Sequence, residues 1–88
     1  MPTFYFDVRE DGVVAIDEEG LELADLAAAQ REAGDAAATI AHDKFAEGGG
    51  ESIVIEVRDE SGRRVLSVAA TLSIVRQDEQ QQRPSRLN

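Results

Sequence analysis

Carboxylates that could bind a divalent cation are concentrated near the start of the chain. Asp7, Asp11, Gly12 and Glu18 occupy positions one, five, six and twelve of the calcium-loop pattern. Position three is Arg9, a cation where the pattern requires an oxygen ligand, and the flanking segments alternate like strands. Because Asp-Gly is also a strong hairpin signal, we interpret Asp11-Gly12 as a turn between two strands.

Loop acids form a second candidate site. Asp17, Glu18 and Glu19 are consecutive, and Asp59 and Glu60 form another acidic pair. General acid–base catalysis would require burial that shifts a pKa toward neutrality, and nothing in the sequence indicates burial of these predicted loops. A small-ligand or divalent-metal binder is therefore the alternative function that we retain. Its ligands would be Asp11, Asp17, Glu18 and Glu19.

The remaining side chains offer little other chemistry. The chain has no cysteine and one histidine, His42, so a zinc site would need ligands from a second subunit. Ser61 and Ser67 lack the sharp-turn signature of a catalytic nucleophile. Gly48-Gly49-Gly50 follows a predicted helix, whereas phosphate-binding loops precede one. We therefore predict a non-catalytic protein, with no catalytic residue and no cofactor.

The formal net charge of −9 argues against two classes of partner. Residues 76–88 carry three arginines against two acids, so residues 1–75 hold a charge of −10. A body this acidic repels phosphate backbones and anionic membrane surfaces, so we expect no nucleic-acid and no membrane partner. No apolar run approaches the ~20 residues of a membrane span, and no basic segment followed by an apolar one marks a signal peptide. A cytoplasmic location is the expectation.

Two-residue alternation predicts the strands that must position these side chains. The first strand, residues 3–9, places Phe4, Phe6 and Val8 on one face and Tyr5 on the other. Tyr5 is thus a large amphipathic ring on a face that should be wet. The other strands are predicted at residues 13–16, 52–59 and 64–75.

The fourth predicted strand is unusual because neither of its faces carries a charge after Arg64. Its core face would contain Leu66, Val68, Ala70, Leu72 and Ile74, and its outer face would contain Val65, Ser67, Ala69, Thr71, Ser73 and Val75. An exposed strand face in an acidic protein normally carries charge. The pattern therefore indicates an interior strand or one that forms a dimer edge.

A helical pattern runs from Leu26 to about Glu47, between the second and third strands. Its apolar positions recur at three- to five-residue steps and are mostly alanine, which predicts close packing on the sheet. Asp25 is the expected N-cap, and one glycine of residues 48–50 in left-handed geometry would end the helix. Gly34 costs about 1 kcal/mol relative to Ala unless close packing or a bend requires it.

The resulting order is β-β-α-β-β, which predicts an α+β fold with a four-stranded, mainly antiparallel sheet and one Ala-rich helix on one face. Residues 1–75 form a single domain in this interpretation. Residues 76–88 are polar, rich in glutamine and contain Pro84, so they are predicted to be a disordered tail.

Several short motifs follow one another in a characteristic order. They are Met1-Pro2, Phe4-Tyr5-Phe6, Asp17-Glu18-Glu19-Gly20, Glu22-Leu23, Asp25-Leu26, Ala28-Ala29, Glu32-Ala33, Val57, Asp59, Gly62 and Leu66. In this order and spacing, over roughly residues 1–75, the chain resembles a family of short uncharacterised bacterial proteins, a domain-of-unknown-function family. Asp7 stands where that family often has His, and Ala24 where it often has Pro. The resemblance implies the same fold and no established activity.

The leading functional hypothesis is a non-catalytic domain that forms a homodimer or binds another protein. The surface would be the outer sheet face or the edge of the fourth strand, where an uncharged face could lie beside Tyr5 and form one continuous patch. The predicted contacts are Tyr5, Val54, Ser67, Ala69, Thr71 and Ser73.

Overall fold

The computed structural model of the chain describes residues 1–48 and 52–73. Its elements are β1 (Thr3–Glu10), β2 (Val13–Ala15), β3 (Leu21–Glu22), α1 (Leu26–Ala46), β4 (Ser52–Arg58) and β5 (Arg64–Thr71). The sheet has the order β2-β1-β4-β5, β3 also pairs with β1, and every pairing is antiparallel. The predicted α+β class is confirmed.

The predicted count of four strands is wrong, because the sheet has five. The missed strand is β3, whose two residues pair as Thr3 with Glu22 and Phe4 with Leu21. Two residues are too few to show an alternating pattern, so the sequence gives no periodic signal for such a strand. β3 exists because β2 covers β1 only at Val8 to Glu10 and leaves the start of that edge open.

The two hairpin turns agree with their sequence signals. Asp11 and Gly12 both have positive φ, 51° and 80°, which is the type I′ geometry that suits the twist of a two-residue hairpin. In the second hairpin, one oxygen of Asp59 accepts hydrogen bonds from the backbone N–H groups of Ser61 and Arg63. Gly62 there has φ 89°, which glycine adopts without strain.

Both predicted ends of the helix are confirmed. The Asp25 carboxylate accepts a hydrogen bond from the Ala28 N–H at 2.9 Å, as an N-cap does. Gly48 has φ 80° and donates its N–H to the Phe45 carbonyl, so it is the left-handed residue that ends the helix. Predictions for Gly49 and Gly50 lie outside the described residues.

The core lies between α1 and the strands β4 and β5. Alanines four residues apart form the buried stripe of the helix, and branched side chains of β4 meet them. The buried apolar residues are Phe4, Ala29, Ala33, Ala37, Ala41, Ile53, Ile55 and Val57. Because alanine is short, the helix lies close to the sheet, and α1 packs mainly on β4 and β5.

Two assignments in the last predicted strand are wrong. Leu72 was expected on the core face, but it follows the end of β5 and is 38% exposed. Val65 was expected on the outer face, but it packs partly buried against the core. The cause is a register irregularity between Val57 and Arg58, which pairs Val57 with Leu66 but Arg58 with Arg64. The extra residue shifts Val65 out of strict alternation. Leu66, Val68 and Ala70 do lie against the core, as predicted.

The described part of the chain ends soon after β5. β5 stops at Thr71, whereas the predicted strand continued to residue 75, and residues 74–88 lie outside the described residues, together with the predicted tail. Among the described residues, β5 forms one edge of the sheet. No helix in that part of the chain is long and apolar enough to cross a membrane.

We expect Gly34→Ala to stabilise the fold by about 0.5–1 kcal/mol. Gly34 is inside α1, and a Cβ built on it meets no atom within 4 Å, so neither close packing nor a left-handed backbone requires glycine there. Urea unfolding of the two proteins measures the difference. Gly48→Ala is the matched control and should destabilise, because Gly48 has positive φ. A Gly34→Ala protein that is less stable than the parent would contradict this account.

Candidate functional site

The outer face of the sheet, opposite α1, carries a row of charges. Cross-strand pairing places Tyr5 beside Arg58, Asp7 beside Glu56, and Arg9 beside Val54. Asp7 and Glu56 are 6% and 8% exposed, so two carboxylates lie side by side and nearly buried on adjacent strands. Like charges in this position destabilise a sheet unless cations compensate them. The compensation comes from the diagonal neighbours.

The Arg58 guanidinium compensates Asp7. Its Nε lies 2.7 Å from Asp7 Oδ2 and its Nη2 lies 3.0 Å from Asp7 Oδ1, a two-point contact that matches the planar fork of arginine to a carboxylate. Nη2 also donates to the backbone carbonyl of Asp17 at 2.9 Å. Arg58 therefore ties β4 to the loop that follows β2.

Glu56 is compensated from both sides. Arg9 Nη2 lies 2.9 Å from Glu56 Oε2, and Arg64 Nη2 lies 3.2 Å from Glu56 Oε1. The three side chains belong to β1, β4 and β5, so the ion pairs cross the sheet. The side chains of Arg9 and Arg64 are 45% and 60% exposed, which limits what each ion pair contributes to stability.

Asp17 closes a gap in the sheet. β2 pairs with β1 from Val8 onward and β3 pairs with it only at Thr3 and Phe4, so the N–H of Phe6 faces neither strand. Asp17 Oδ2 accepts that N–H at 3.0 Å, and its Oδ1 accepts the N–H groups of Glu19 and Gly20. The N–H of Asp17 itself donates to Asp7 Oδ1 at 2.9 Å.

Tyr5 is covered by the same loop. The guanidinium carbon of Arg58 lies 4.9 Å from the centre of the Tyr5 ring, a cation–π contact. Gly20 lies against the edge of the ring so closely that a Cβ on it would come within 2.9 Å of Tyr5 Cε2 and 2.7 Å of Thr3 Cγ2. The ring that the sequence placed on a wet face is therefore half-buried by residues of its own chain.

The surroundings of Asp7 and Asp17 favour the ionised form of each carboxyl group. The Arg58 guanidinium holds the pKa of Asp7 below its usual value of 3.8, more strongly than burial raises it, and the Asp17 N–H adds to the lowering. Burial raises the pKa of Asp17, but the hydrogen bonds from Phe6, Gly20 and Glu19 outweigh it, so this pKa is also lowered. The hydrogen bonds from Arg58 to Asp7 raise the pKa of Arg58.

Proton transfer near neutral pH needs a pKa near 7, and these two carboxylates are shifted away from it. Their oxygens are also occupied by internal donors, which leaves them poorly suited to coordinate a cation. Within residues 1–48 and 52–73, no group of three or more His, Cys, Asp or Glu side chains has the arrangement of a metal site. The cluster is therefore built to hold a loop on a sheet.

Of the four loop acids proposed as metal or small-ligand contacts, Asp11 lies apart from the consecutive residues Asp17, Glu18 and Glu19. Asp11 lies at the hairpin turn and accepts a hydrogen bond from Lys44 Nζ at 2.7 Å, which raises the pKa of Lys44. Asp17 lies beside Asp7, which precedes Asp11 by four residues in the chain. Asp17 and Asp11 are therefore separated by a distance on the order of 13 Å at the usual strand rise. Glu18 and Glu19 are exposed in the loop after β2.

The six predicted interface residues divide into two places. Val54 pairs with Ala69 at the end of the sheet far from Tyr5, and Thr71 lies beyond Ala69 on the same strand. Ser67 pairs with Glu56, so the charged row separates this group from Tyr5. Ser73 is exposed and follows the end of β5. The expected single patch containing Tyr5 is thus not continuous, whereas Val54, Ala69 and Thr71 do adjoin.

A comparison with known families shows which family the chain belongs to. The sequence profile of a domain of unknown function, DUF6894, matches residues 3–71. The chain belongs to the DUF6894 family. That match begins at the first residue of β1 and ends at the last residue of β5, so it covers every strand and the helix described above. Neither curated proteins nor solved structures give a significant match.

The sequence did not single out Arg58 as the organising residue of this DUF6894 domain. Arg58 lies within the strand predicted at residues 52–59, and nothing local distinguishes it from a solvated arginine. One signal was present: Asp7 and Arg58 are opposite charges on outward positions of two strands. Without the strand order, however, the sequence could not show that these strands are neighbours.

Acid should weaken the fold through Asp7 and Asp17. Each has a folded-state pKa below 3.8, so the unfolded chain binds protons at a higher pH than the folded chain does. The contribution of each carboxylate to the free energy of unfolding is therefore complete above that value and is lost as the pH falls through the folded-state pKa. We expect Asp7→Asn to cost about 1–3 kcal/mol at pH 7 and to flatten the fall in stability below pH ~4. Chemical unfolding at several pH values measures both effects.

Glu19→Gln is the control for the acid experiment, because the Glu19 side chain makes no hydrogen bond or ion pair among the described residues. It should leave the stability at pH 7 within about 0.5 kcal/mol of the parent. An Asp7→Asn protein with the same dependence on pH as the parent would contradict the assignment.

Gly20→Ala should destabilise more than Gly12→Ala. Both glycines have positive φ, 75° and 80°, so both substitutions impose backbone strain. A Cβ on Gly12 meets no atom within 4 Å, whereas a Cβ on Gly20 overlaps Thr3 and Tyr5. We expect an additional cost of about 1–3 kcal/mol for Gly20→Ala, measured by thermal or urea unfolding. Equal costs for the two variants would show that Gly20 does not pack on the ring.

Proposed function

We propose that this domain is a non-catalytic protein-interaction module that forms a homodimer by pairing the free edge of β5. The observation that carries the proposal is the position of β5, which has eight residues and lies at the edge of the sheet. Within the described residues, no strand pairs with the edge of β5 that is opposite β4. A long edge strand presents unpaired N–H and C=O groups, which are a template for strand addition.

The opposite edge of the sheet differs from β5. It consists of β2, with three residues, and β3, with two, and Asp17 rather than a strand satisfies the Phe6 N–H between them. Short and interrupted edge strands are a common protection against unwanted pairing. Since only one edge has this protection, β5 is the edge on which we place the association.

The side chains of β5 favour close approach of a second strand. Residues 65–71 carry no charge, and Ser67, Ala69 and Thr71 are small, exposed residues. Val54 is half-buried beside Ala69 and extends this uncharged surface onto β4. Each chain carries −9, so two copies repel one another overall, and contact through an uncharged strand keeps the acids apart.

A twofold axis would make the pairing self-complementary, because antiparallel β5 strands from two copies use the same residues on each side. An eight-residue strand pair is a small contact beside the ~1,200 Å² of a standard stable interface, so we expect micromolar rather than nanomolar affinity. The proposed contacts are Val54, Ser67, Ala69, Thr71 and Ser73. Tyr5, which was grouped with them in the sequence, is assigned to holding the loop after β2.

The net charge of the chain also favours a protein as the partner. An acidic body disfavours nucleic acid and anionic lipid, and only pairing with a second protein surface uses the backbone groups of β5. Nothing in the arrangement of the loop acids favours the metal-binding alternative over this role.

Ala69→Lys tests the proposal. A lysine on an edge strand opposes strand addition, and the dimer would contain two such lysines on its paired strands. We expect the dissociation constant of the dimer, measured by sedimentation velocity over a range of concentrations, to rise at least about tenfold. Ala38→Lys, on the exposed side of α1, is the control of equal charge and should leave the dissociation constant nearly unchanged.

Two results would reject the proposed dimer. One is a parent protein that stays monomeric up to ~1 mM, far above the expected micromolar range. The other is an equal loss of association in Ala69→Lys and Ala38→Lys, which would reflect net charge rather than the β5 edge.

A further inference from the structure

The segment of residues 16–24 lies along the edge of β1 that is opposite β4, and it is termed the cover below. The cover includes β3, which pairs with the start of β1. Beside that pairing, the Leu23 N–H donates to the Pro2 carbonyl at 3.0 Å. Farther along β1, the Asp17 carboxylate accepts the Phe6 N–H at 3.0 Å. The cover therefore occupies the part of the β1 edge that β2 leaves free.

Polar contacts rather than apolar packing hold most of the cover. Ile16 and Leu21 are 59% and 42% exposed, and of its three large apolar side chains only Leu23 packs against the core. A hydrogen bond at an accessible sheet edge can be exchanged for one with water, so each such bond contributes little net stability. Segments with few buried apolar contacts open at a lower free-energy cost than the core does.

Opening of the cover leaves no buried charge without a partner. Arg58 keeps its contacts with Asp7 at 2.7 and 3.0 Å, because both residues belong to strands of the sheet and not to the cover. The Asp17 carboxylate is carried into water with the cover, and the Phe6 N–H at the sheet edge becomes accessible to water. The large cost of an unpaired buried charge therefore does not oppose the opening.

We propose that the cover opens as a unit while α1, β1, β4 and β5 stay folded, and that the closed cover prevents β1 from pairing with a second copy of this chain. When closed, it blocks that pairing in two ways. It occupies the hydrogen-bonding groups of the edge, and its four acids, with no lysine or arginine among them, repel another acidic chain. The inference does not depend on the proposed β5 dimer.

The edge that the cover occupies is suited to self-pairing once it is open. It contains the uncharged run Phe4-Tyr5-Phe6, and aromatic residues have a high strand propensity. Two such runs, antiparallel about a twofold axis at Tyr5, place Phe4 of each copy opposite Phe6 of the other. Aromatic cross-strand pairs stabilise a sheet, so a second copy of the chain is the occupant that this edge favours.

Hydrogen exchange of the parent protein, followed for each amide by NMR, tests the opening. Adjacent residues of a strand direct their N–H groups to opposite edges, so the Phe6 N–H faces the cover and the Asp7 N–H faces β4. Asp7 is therefore the matched control in the same strand. We expect the Phe6 and Leu23 amides to be at least about tenfold less protected than the Asp7 amide, and to share one protection factor within about threefold.

The dependence on urea distinguishes local opening from global unfolding. Low concentrations of urea should accelerate exchange of Asp7 but leave that of Phe6 and Leu23 nearly unchanged, because opening of the cover exposes little surface. Equal protection of Phe6 and Asp7, with the same dependence on urea, would overturn the proposal. Protection factors of Phe6 and Leu23 that differ by more than about tenfold would also overturn it, since the cover would not open as a unit.

The role of the cover in blocking self-association is tested with Asp17→Ala in a protein that also carries Ala69→Lys, so that the β5 edge does not contribute. Glu19→Ala in the same background removes an equal charge without removing a side-chain contact among the described residues, and it is the matched control. By sedimentation velocity, we expect the Asp17→Ala protein to self-associate with a dissociation constant at least about tenfold lower than that of the Glu19→Ala protein.

A second pair of variants guards against misfolding of Asp17→Ala, and circular dichroism verifies the fold of each protein. Gly20→Ala forces the cover away from Tyr5 and should promote association, whereas Gly12→Ala should not. Equal association of Asp17→Ala and Glu19→Ala, or folded cover variants that stay monomeric, would overturn the proposed pairing of β1. Ala69→Lys alone reports on the β5 edge, so failure of that dimer and failure of this inference are distinguishable.

Discussion

The outer face of this sheet depends on the guanidinium of Arg58. Its two-point contact with Asp7 allows a carboxylate to lie nearly buried beside Glu56, where repulsion would otherwise separate β1 from β4. The same group holds the Asp17 carbonyl and lies over the Tyr5 ring. Because these contacts share one cation, the loop after β2, the ring and the central strand pair are coupled to one another.

This coupling explains why β2 and β3 can be so short. Two strands of three and two residues contribute few ladder hydrogen bonds, and neither would be stable alone. Asp17 connects them by accepting the one β1 N–H that neither strand reaches, and Gly20 permits the loop to lie directly on Tyr5. A polar network with its hydrogen bonds satisfied thus replaces the missing part of an edge strand.

The helix covers the sheet unevenly, because the domain has one helix with short alanine side chains and five strands. α1 covers β4 and β5, so the core is concentrated there, whereas the β1–β2 hairpin remains open on the helix side. The two edges are unequal as well: one is short and interrupted, and the other is a long uncharged strand. The DUF6894 profile matches residues 3–71, a range that includes the helix and all five strands.

The sequence by itself determined the local structure. Alternation located β1, β4 and β5, the alanine pattern with Asp25 and Gly48 located the helix, and Asp11-Gly12 located the first hairpin, because each signal comes from residues adjacent in the chain. Only the tertiary structure decided the strand order, β3, and the pairing of Asp7 with Arg58 across 51 positions. A two-residue strand has no period to detect. A cross-strand ion pair has no sequence signal until the strands are known to be neighbours. For the same reason, the sequence predicted that Tyr5 lies on the outer face, but only the fold shows which residues cover it.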